Sequence, residues 1–231
     1  MAFFYISMEA QNSTASRINA RISSGYQVRM SLYLGMAMDL IKRNMGLFVS
    51  FTLIYVAFMV LVWRLGEAGS FVNIIFSGPI TAGYFIIIHQ MVTGKPYSFE
   101  TFFDGFKIFL PVMAASMASG LLTSLGAMLY IVPGLIVAIF LIFVTPLVIF
   151  GRLDTLSALK YSQMIVWRQF WDIAKFGLAI ALINLATVFT FGIAFLFTLP
   201  MSFAAIYFAY VDIIGIDDKP QDSKPDFSHF R

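Results

Sequence analysis

Residues 108–150 form a run of forty-three positions without one Asp, Glu, Lys or Arg. A helix crosses roughly 30 Å of hydrocarbon with about 20 mostly apolar residues, so this run is too long for one span and suits two. Ile131-Val132-Pro133-Gly134 is the expected turn between them. The rest of the chain agrees. Only 12% of the 231 residues are charged and 60% are hydrophobic, against roughly 25% and 45–50% in soluble domains. So few charges cannot cover a water-facing surface, and the sequence reads as an integral membrane protein.

Gly46–Trp63 and Phe71–Met91 are the first two expected spans, the second carrying Gly78-Pro79. Ala174–Ile214 is a further hairpin punctuated at Leu199-Pro200, with Met201–Ile214 as a short sixth span. The expected fold class is therefore all-α, a polytopic bundle of six transmembrane helices. With six spans, both termini and the loops at 92–107 and 151–175 share one side. That side holds fourteen of the 15 basic residues, and Arg64 alone lies opposite. The positive-inside rule then places both termini in the cytoplasm. Met1–Ile6 lacks a preceding basic region and leads into polar residues, so a cleavable signal peptide is not expected. The expected organisation is a flexible arm over 1–25, a membrane domain over 26–215 and a polar cytoplasmic tail over 216–231.

Three amphipathic stretches precede the three hairpins. In Ser98–Lys107, Phe99, Phe102, Phe103 and Phe106 recur at i, i+3, i+4 and i+7, with Ser98 as N-cap. In Gln27–Arg43 a polar stripe of Gln27, Ser31, Asp39 and Arg43 crosses a mostly apolar helix. In Thr155–Trp171, Leu156, Leu159, Val166, Trp167 and Phe170 share an apolar face, with Ser157 and Arg168 opposite, and Gln163 falls on the apolar side as a break in that pattern. Such helices lie at the membrane surface, and Trp167 and Trp171 suit headgroup depth. The six aromatics Phe99, Phe102, Phe103, Phe106, Trp167 and Trp171 are thus a candidate lipid or partner interface. The arrangement also suggests a threefold parallel repeat of amphipathic helix, outward span and return span. Each return span carries a proline: Pro79, Pro146 or Pro200.

Sites of chemistry are scarce. The centres of the spans hold no Asp, Glu, Lys or Arg, which argues against a proton-coupled pump. With no cysteine and two histidines, His89 and His229, neither a thiolate site nor a histidine-rich metal centre is expected. No nucleophile elbow, His-Glu-x-x-His or phosphate-loop lysine motif is present. No catalytic residue, metal or cofactor is expected, and the net charge of +3 gives no reason to expect nucleic acid. Asp172 and Asp212 sit at span ends within reach of water, Lys175 or Arg168. Ser116, Gly120 and Ser124 recur every four residues, beside Ala115, Ser119 and Thr123. Small residues so spaced allow close helix approach, making the third span the expected central packing helix. Asn73 and Asn184 are candidates for interhelical hydrogen bonds.

From Ile131-Val132-Pro133-Gly134 through Thr145-Pro146-Leu147-Val148, Ala158-Leu159-Lys160-Tyr161-Ser162 and Phe170-Trp171, the chain resembles a bacterial multi-pass family. That family includes the membrane domain of glycerophosphodiester phosphodiesterases and related uncharacterised integral membrane proteins. Gly78-Pro79, Gly83-Tyr84, Pro200 and Tyr207 fit the same pattern, over about residues 28–215. The resemblance implies a six-span inner-membrane protein acting beside something else, as anchor, scaffold or lipid-facing partner. It carries over no catalytic residue, since the family's phosphodiesterase chemistry resides in a separate soluble domain. The leading expectation is a non-catalytic scaffold or accessory subunit with membrane lipids and a protein partner or second copy as neighbours. The alternative is a lipid or small-amphiphile binding protein with a cavity lined by helices bent at Pro79, Pro146 and Pro200.

Overall fold

The computed structural model describes residues 2–216, which contain helices and connecting turns and no strand. Helix α1 covers Ala2–Ser24, α2 Met30–Arg43, α3 Met45–Arg64 and α4 Glu67–Thr93. A 3₁₀ segment over Phe99–Ile108 leads into α5 (Phe109–Leu129), α6 (Ile131–Phe140), α7 (Val144–Ile149) and α8 (Thr155–Arg168). Helix α9 (Phe170–Leu185), a 3₁₀ turn at Ala186–Thr190 and α10 (Phe195–Ile213) complete the described chain. Six helical stretches are long and apolar enough to cross a membrane: α3, α4, α5 with its 3₁₀ lead-in, α6 with α7, α9 with its 3₁₀ end, and α10. The protein is a multi-pass helical membrane protein.

Two turns differ from expectation. The third and fourth spans reverse at Tyr130, a single extended residue (φ −176°, ψ 167°), while Ile131–Gly134 already belong to α6. Pro133 is tolerated there because first-turn N–H groups have no intrahelical acceptor to lose. Pro200 lies inside α10 instead of between two spans. The chain reverses at Phe191 and Gly192, whose φ values of 51° and 86° make the left-handed bend. The sixth span therefore starts at Phe195 and runs 19 residues.

The segment expected as a flexible arm is also corrected. Residues 2–24 are helix α1, because Thr14 and Ile18 share a helical face and both are buried. From residue 217 on, the expected polar tail lies outside the described residues.

The spans separate into two layers. Shares of buried residues are 44% in α4, 44% in α6–α7 and 56% in α10, against 22%, 11% and 17% in the spans built on α3, α5 and α9. The three return spans are thus the inner layer. Each packs on the short helix and outward span of the following unit: α4 on the 3₁₀ segment and α5, α6–α7 on α8 and α9, α10 on α2 and α3. The last pairing joins the third unit to the first and closes the ring. One ring from each unit meets at the centre, His89, Phe150 and Tyr207, with centroids 5.0, 5.6 and 6.0 Å apart. This cyclic pairing fits the parallel threefold arrangement expected from the sequence.

The third span, expected to be the central packing helix, is instead the most exposed of the six. Ser116 meets α4 at Gly78, but Gly120 and Ser124 face outward and no atom lies within 4 Å of a Cβ added at Gly120. The close seams are made by other glycines. Gly126 faces Gly134 across the α5–α6 hairpin, and Gly83 and Gly105 bring α4 and the 3₁₀ segment into backbone contact.

Candidate functional site

The expected collar aromatics are split by local geometry. A 3₁₀ helix repeats every three residues, so Phe99, Phe102 and Gly105 share one row while Phe103 and Phe106 fall beside it. Thr101 starts the segment by accepting the Ser98 N–H (3.1 Å) and donating to Gln90 of α4 (3.3 Å). Phe102 is fully buried, stacked on Phe51 at 3.9 Å and edge-on to Phe48 and Tyr84. It is core, and it leaves the expected interface set. Phe103 is exposed, whereas Phe99 and Phe106 are half-buried.

Helix α8 is rotated relative to the expected face. Asp154 caps its start by accepting the Ser157 N–H at 3.1 Å, and its core side is Ala158, Ser162, Ile165 and Val166. Small residues here admit the break between α6 and α7. The Ser162 hydroxyl donates to the Phe140 carbonyl (2.7 Å) and accepts from the Phe143 N–H (3.3 Å). It thereby satisfies groups that a helix interruption leaves orphaned. The turn of the helix then aims Leu156 and Trp167 outward; Trp167 and Trp171 are each 75% exposed.

That outward side of α8 forms one wall of a cleft of about 700 Å³, lined by Ile22, Leu122, Val137, Phe140, Leu141, Gln163, Met164, Trp167 and Arg168. Helices α1, α5 and α6 supply the other walls. Polar groups gather at the α8 end. Trp167 stacks on Phe140 with centroids 5.9 Å apart, one helical turn from Val137, and Leu122 of α5 lies across from them. The polar side chains of the lining, Gln163 and Arg168, both come from α8, and the walls from α1, α5 and α6 are apolar. Gln163, which breaks the apolar pattern of α8, is one of its polar groups.

Helix α1 is held against this site by three bonds. Arg168 Nε donates to the Ile22 carbonyl at 3.1 Å, the Gln169 side chain donates to the Tyr26 carbonyl, and the Tyr26 hydroxyl donates to the Ile165 carbonyl. Burial pushes the Tyr26 phenol above its ordinary value, against the opposing pull of the Arg168 charge. Arg168 has no carboxylate within ion-pair distance among the described residues, since Asp172 pairs with Lys175 at 3.2 Å. A second concavity of about 500 Å³ continues from Trp167 and Arg168 to Asp172. A third, of about 460 Å³, lies between α3 and the start of α10.

Pro79, Pro146 and Pro200 line none of these three cavities. All three are buried within the packed return spans. Pro146 is the third residue of α7, in a first turn where its missing N–H costs no bond. Only Pro79 and Pro200 interrupt a helix interior. Asn184 makes the expected interhelical bond, to Ser202 Oγ of α10 at 2.7 Å, while the buried Asn73 Oδ1 has no hydrogen-bond partner among the described residues. His89 Nδ1 pairs with the Tyr207 hydroxyl at 2.9 Å. Asp212 finds neither Lys175 nor Arg168; its carboxylate is held by Arg29 and by the Tyr33 hydroxyl. No group of three or more His, Cys, Asp or Glu among the described residues is placed to hold a metal ion. Protein-family models, curated proteins and solved structures compared with this chain yield no match.

Proposed function

We propose that this is a non-catalytic multi-pass protein of a bacterial inner membrane, termini in the cytoplasm, which binds a membrane amphiphile in the cleft between α1, α5, α6 and α8. The cleft carries the reading: its volume of about 700 Å³ falls within the range of ligand sites, roughly 300–1,000 Å³. Its polar end lies on the side that carries most of the basic residues. Resemblance to the membrane domain of glycerophosphodiester phosphodiesterases is compatible with a lipid-facing role.

Lipid extraction from protein purified in a mild maltoside detergent tests the proposal. A stoichiometric amphiphile is expected with the native chain, and its loss with Leu122→Trp/Met164→Trp, which fills the cleft without touching the inner layer. Equal lipid content in both proteins contradicts the reading. Orientation is tested by single cysteines, because the chain has none of its own. A membrane-impermeant maleimide is expected to label Glu67→Cys in intact cells and Ser23→Cys only after permeabilisation; the reverse pattern overturns the assigned topology.

A second reading is an accessory subunit, favoured by the outward Trp167 and Trp171, each 75% exposed. It requires a protein to be recovered with the chain in fixed proportion from the same membranes.

A further inference from the structure

We propose that the cleft selects a phospholipid, with Arg168 receiving the phosphate and the acyl chain lying along Leu122, Val137 and Phe140; this rests on the reading of the cleft as an amphiphile site. The argument is one of charge. Arg168 is the cation at the cleft, and a guanidinium offers five donors in a fork that matches phosphate oxygens. One of them, Nε, is used on the Ile22 carbonyl, which fixes the fork beside the cleft. The terminal nitrogens have no hydrogen bond among the described residues, and no carboxylate neutralises them. Asp172, in the neighbouring concavity, is engaged by Lys175.

Neutral amphiphiles leave this charge unanswered, whereas a phospholipid phosphate pairs with it at the depth where headgroup meets chain. Gln163 adds an amide within the same lining. The apolar walls set aside free phosphate as the occupant, because it would leave Leu122, Val137 and Phe140 uncovered. The Trp167 indole at the mouth matches the interfacial preference of that side chain.

The three tryptophans, Trp63, Trp167 and Trp171, make the test direct. In Trp63→Phe/Trp171→Phe protein the remaining fluorescence comes from Trp167. It is titrated in maltoside micelles with chain-brominated phosphatidylglycerol or with diacylglycerol carrying the same brominated chains. Quenching by phosphatidylglycerol is expected at about tenfold lower mole fraction, as for a hydrogen-bonded charge pair. Arg168→Gln is expected to abolish the difference. Arg168→Lys keeps the charge without the fork and is expected to retain only part of the preference; an undiminished preference in Arg168→Gln overturns the proposal.

Equal quenching by the two lipids in the parent protein overturns the phosphate assignment while the cleft reading stands. Quenching that Leu122→Phe/Met164→Phe fails to weaken for either lipid is micellar collision, and the cleft reading itself falls. Displacement of brominated phosphatidylglycerol by millimolar inorganic phosphate moves the site to the free anion and overturns the lipid assignment.

Discussion

Gly105→Ala is expected to destabilise the protein by about 3 kcal/mol, at the upper end of overpacking costs. A Cβ at this position would lie 2.0 Å from the Pro79 carbonyl oxygen, and one at Gly83 would lie 1.9 Å from the Phe102 carbonyl oxygen. Both obstacles are backbone, so no side chain can swing aside. The 3₁₀ segment would have to lift from α4, pulling Phe102 out of its stack on Phe51. Alanine regains only about 0.5–1 kcal/mol of helix propensity over glycine, so the steric loss wins. Gly120→Ala is the matching control. No atom lies within 4 Å of its added Cβ, and the propensity gain is expected to appear as unchanged or slightly raised stability. Thermal unfolding in detergent checks both. A loss of roughly 6–12 °C is expected for Gly105→Ala, from about 2–4 °C per kcal/mol at this chain length. Equal behaviour of the two variants would contradict the packing described.

Asp212→Ala is expected to cost about 2–3 kcal/mol. The Asp212 side chain is 10% exposed, takes a two-point grip from Arg29 and accepts the Tyr33 hydroxyl at 2.5 Å. Truncation leaves the fully buried Tyr33 hydroxyl with only its longer bond to the Gln27 carbonyl at 3.4 Å, and loss of a hydrogen bond to a charged group costs about 1.5–3 kcal/mol. The Arg29 side chain is 49% exposed and recovers water, which holds the total below the roughly 3–5 kcal/mol of a fully buried broken pair. This contact joins α2 to the end of α10, where the third unit meets the first. Arg29→Ala is therefore expected to cost less than Asp212→Ala, and Tyr33→Phe with Asp212→Ala less than the sum of the single changes. Denaturation by SDS, read as the midpoint of helix loss, orders the variants. Additive effects would mean that the three groups act separately.

The number of spans was legible because charge-free stretches of about 20 residues have no other way to satisfy membrane chemistry. The recurrence of short helix, span and span suggested a repeat, and the cyclic pairing of the return spans with the following units is compatible with it. Turn positions were harder to read, because a proline marks a break in one place and a first turn in another. Pro133 and Pro146 begin helices, Pro200 sits within one, and local sequence does not separate these cases. The packing helix was misread for a similar reason. Small residues permit close approach, but Gly120 and Gly105 look alike until a neighbour is placed beside them. For the phenylalanines of the collar, the switch from a 3.6- to a 3-residue repeat turned Phe102 inward and left Phe103 outside.

The cleft left a fainter trace. Trp167 was expected at an interface, and Gln163 stood out as a departure from the apolar pattern of α8; both line it. Its apolar walls, Leu122, Val137 and Met164, are indistinguishable in sequence from any lipid-facing residue. Ile22 was hidden within a segment expected to be a flexible arm. Cavities arise from the spacing of helices, and that spacing is set by glycines and serines elsewhere, Ser162 and Gly134 among them.

The most direct measurement is a single-particle structure of the full chain in nanodiscs made from native lipid. The account expects continuous density from Arg168 along Leu122 and Val137, with the return spans closely packed around Pro79, Pro146 and Pro200. A cleft closed by direct packing of α8 on α5, or density confined to the inner layer beside the prolines, would contradict it.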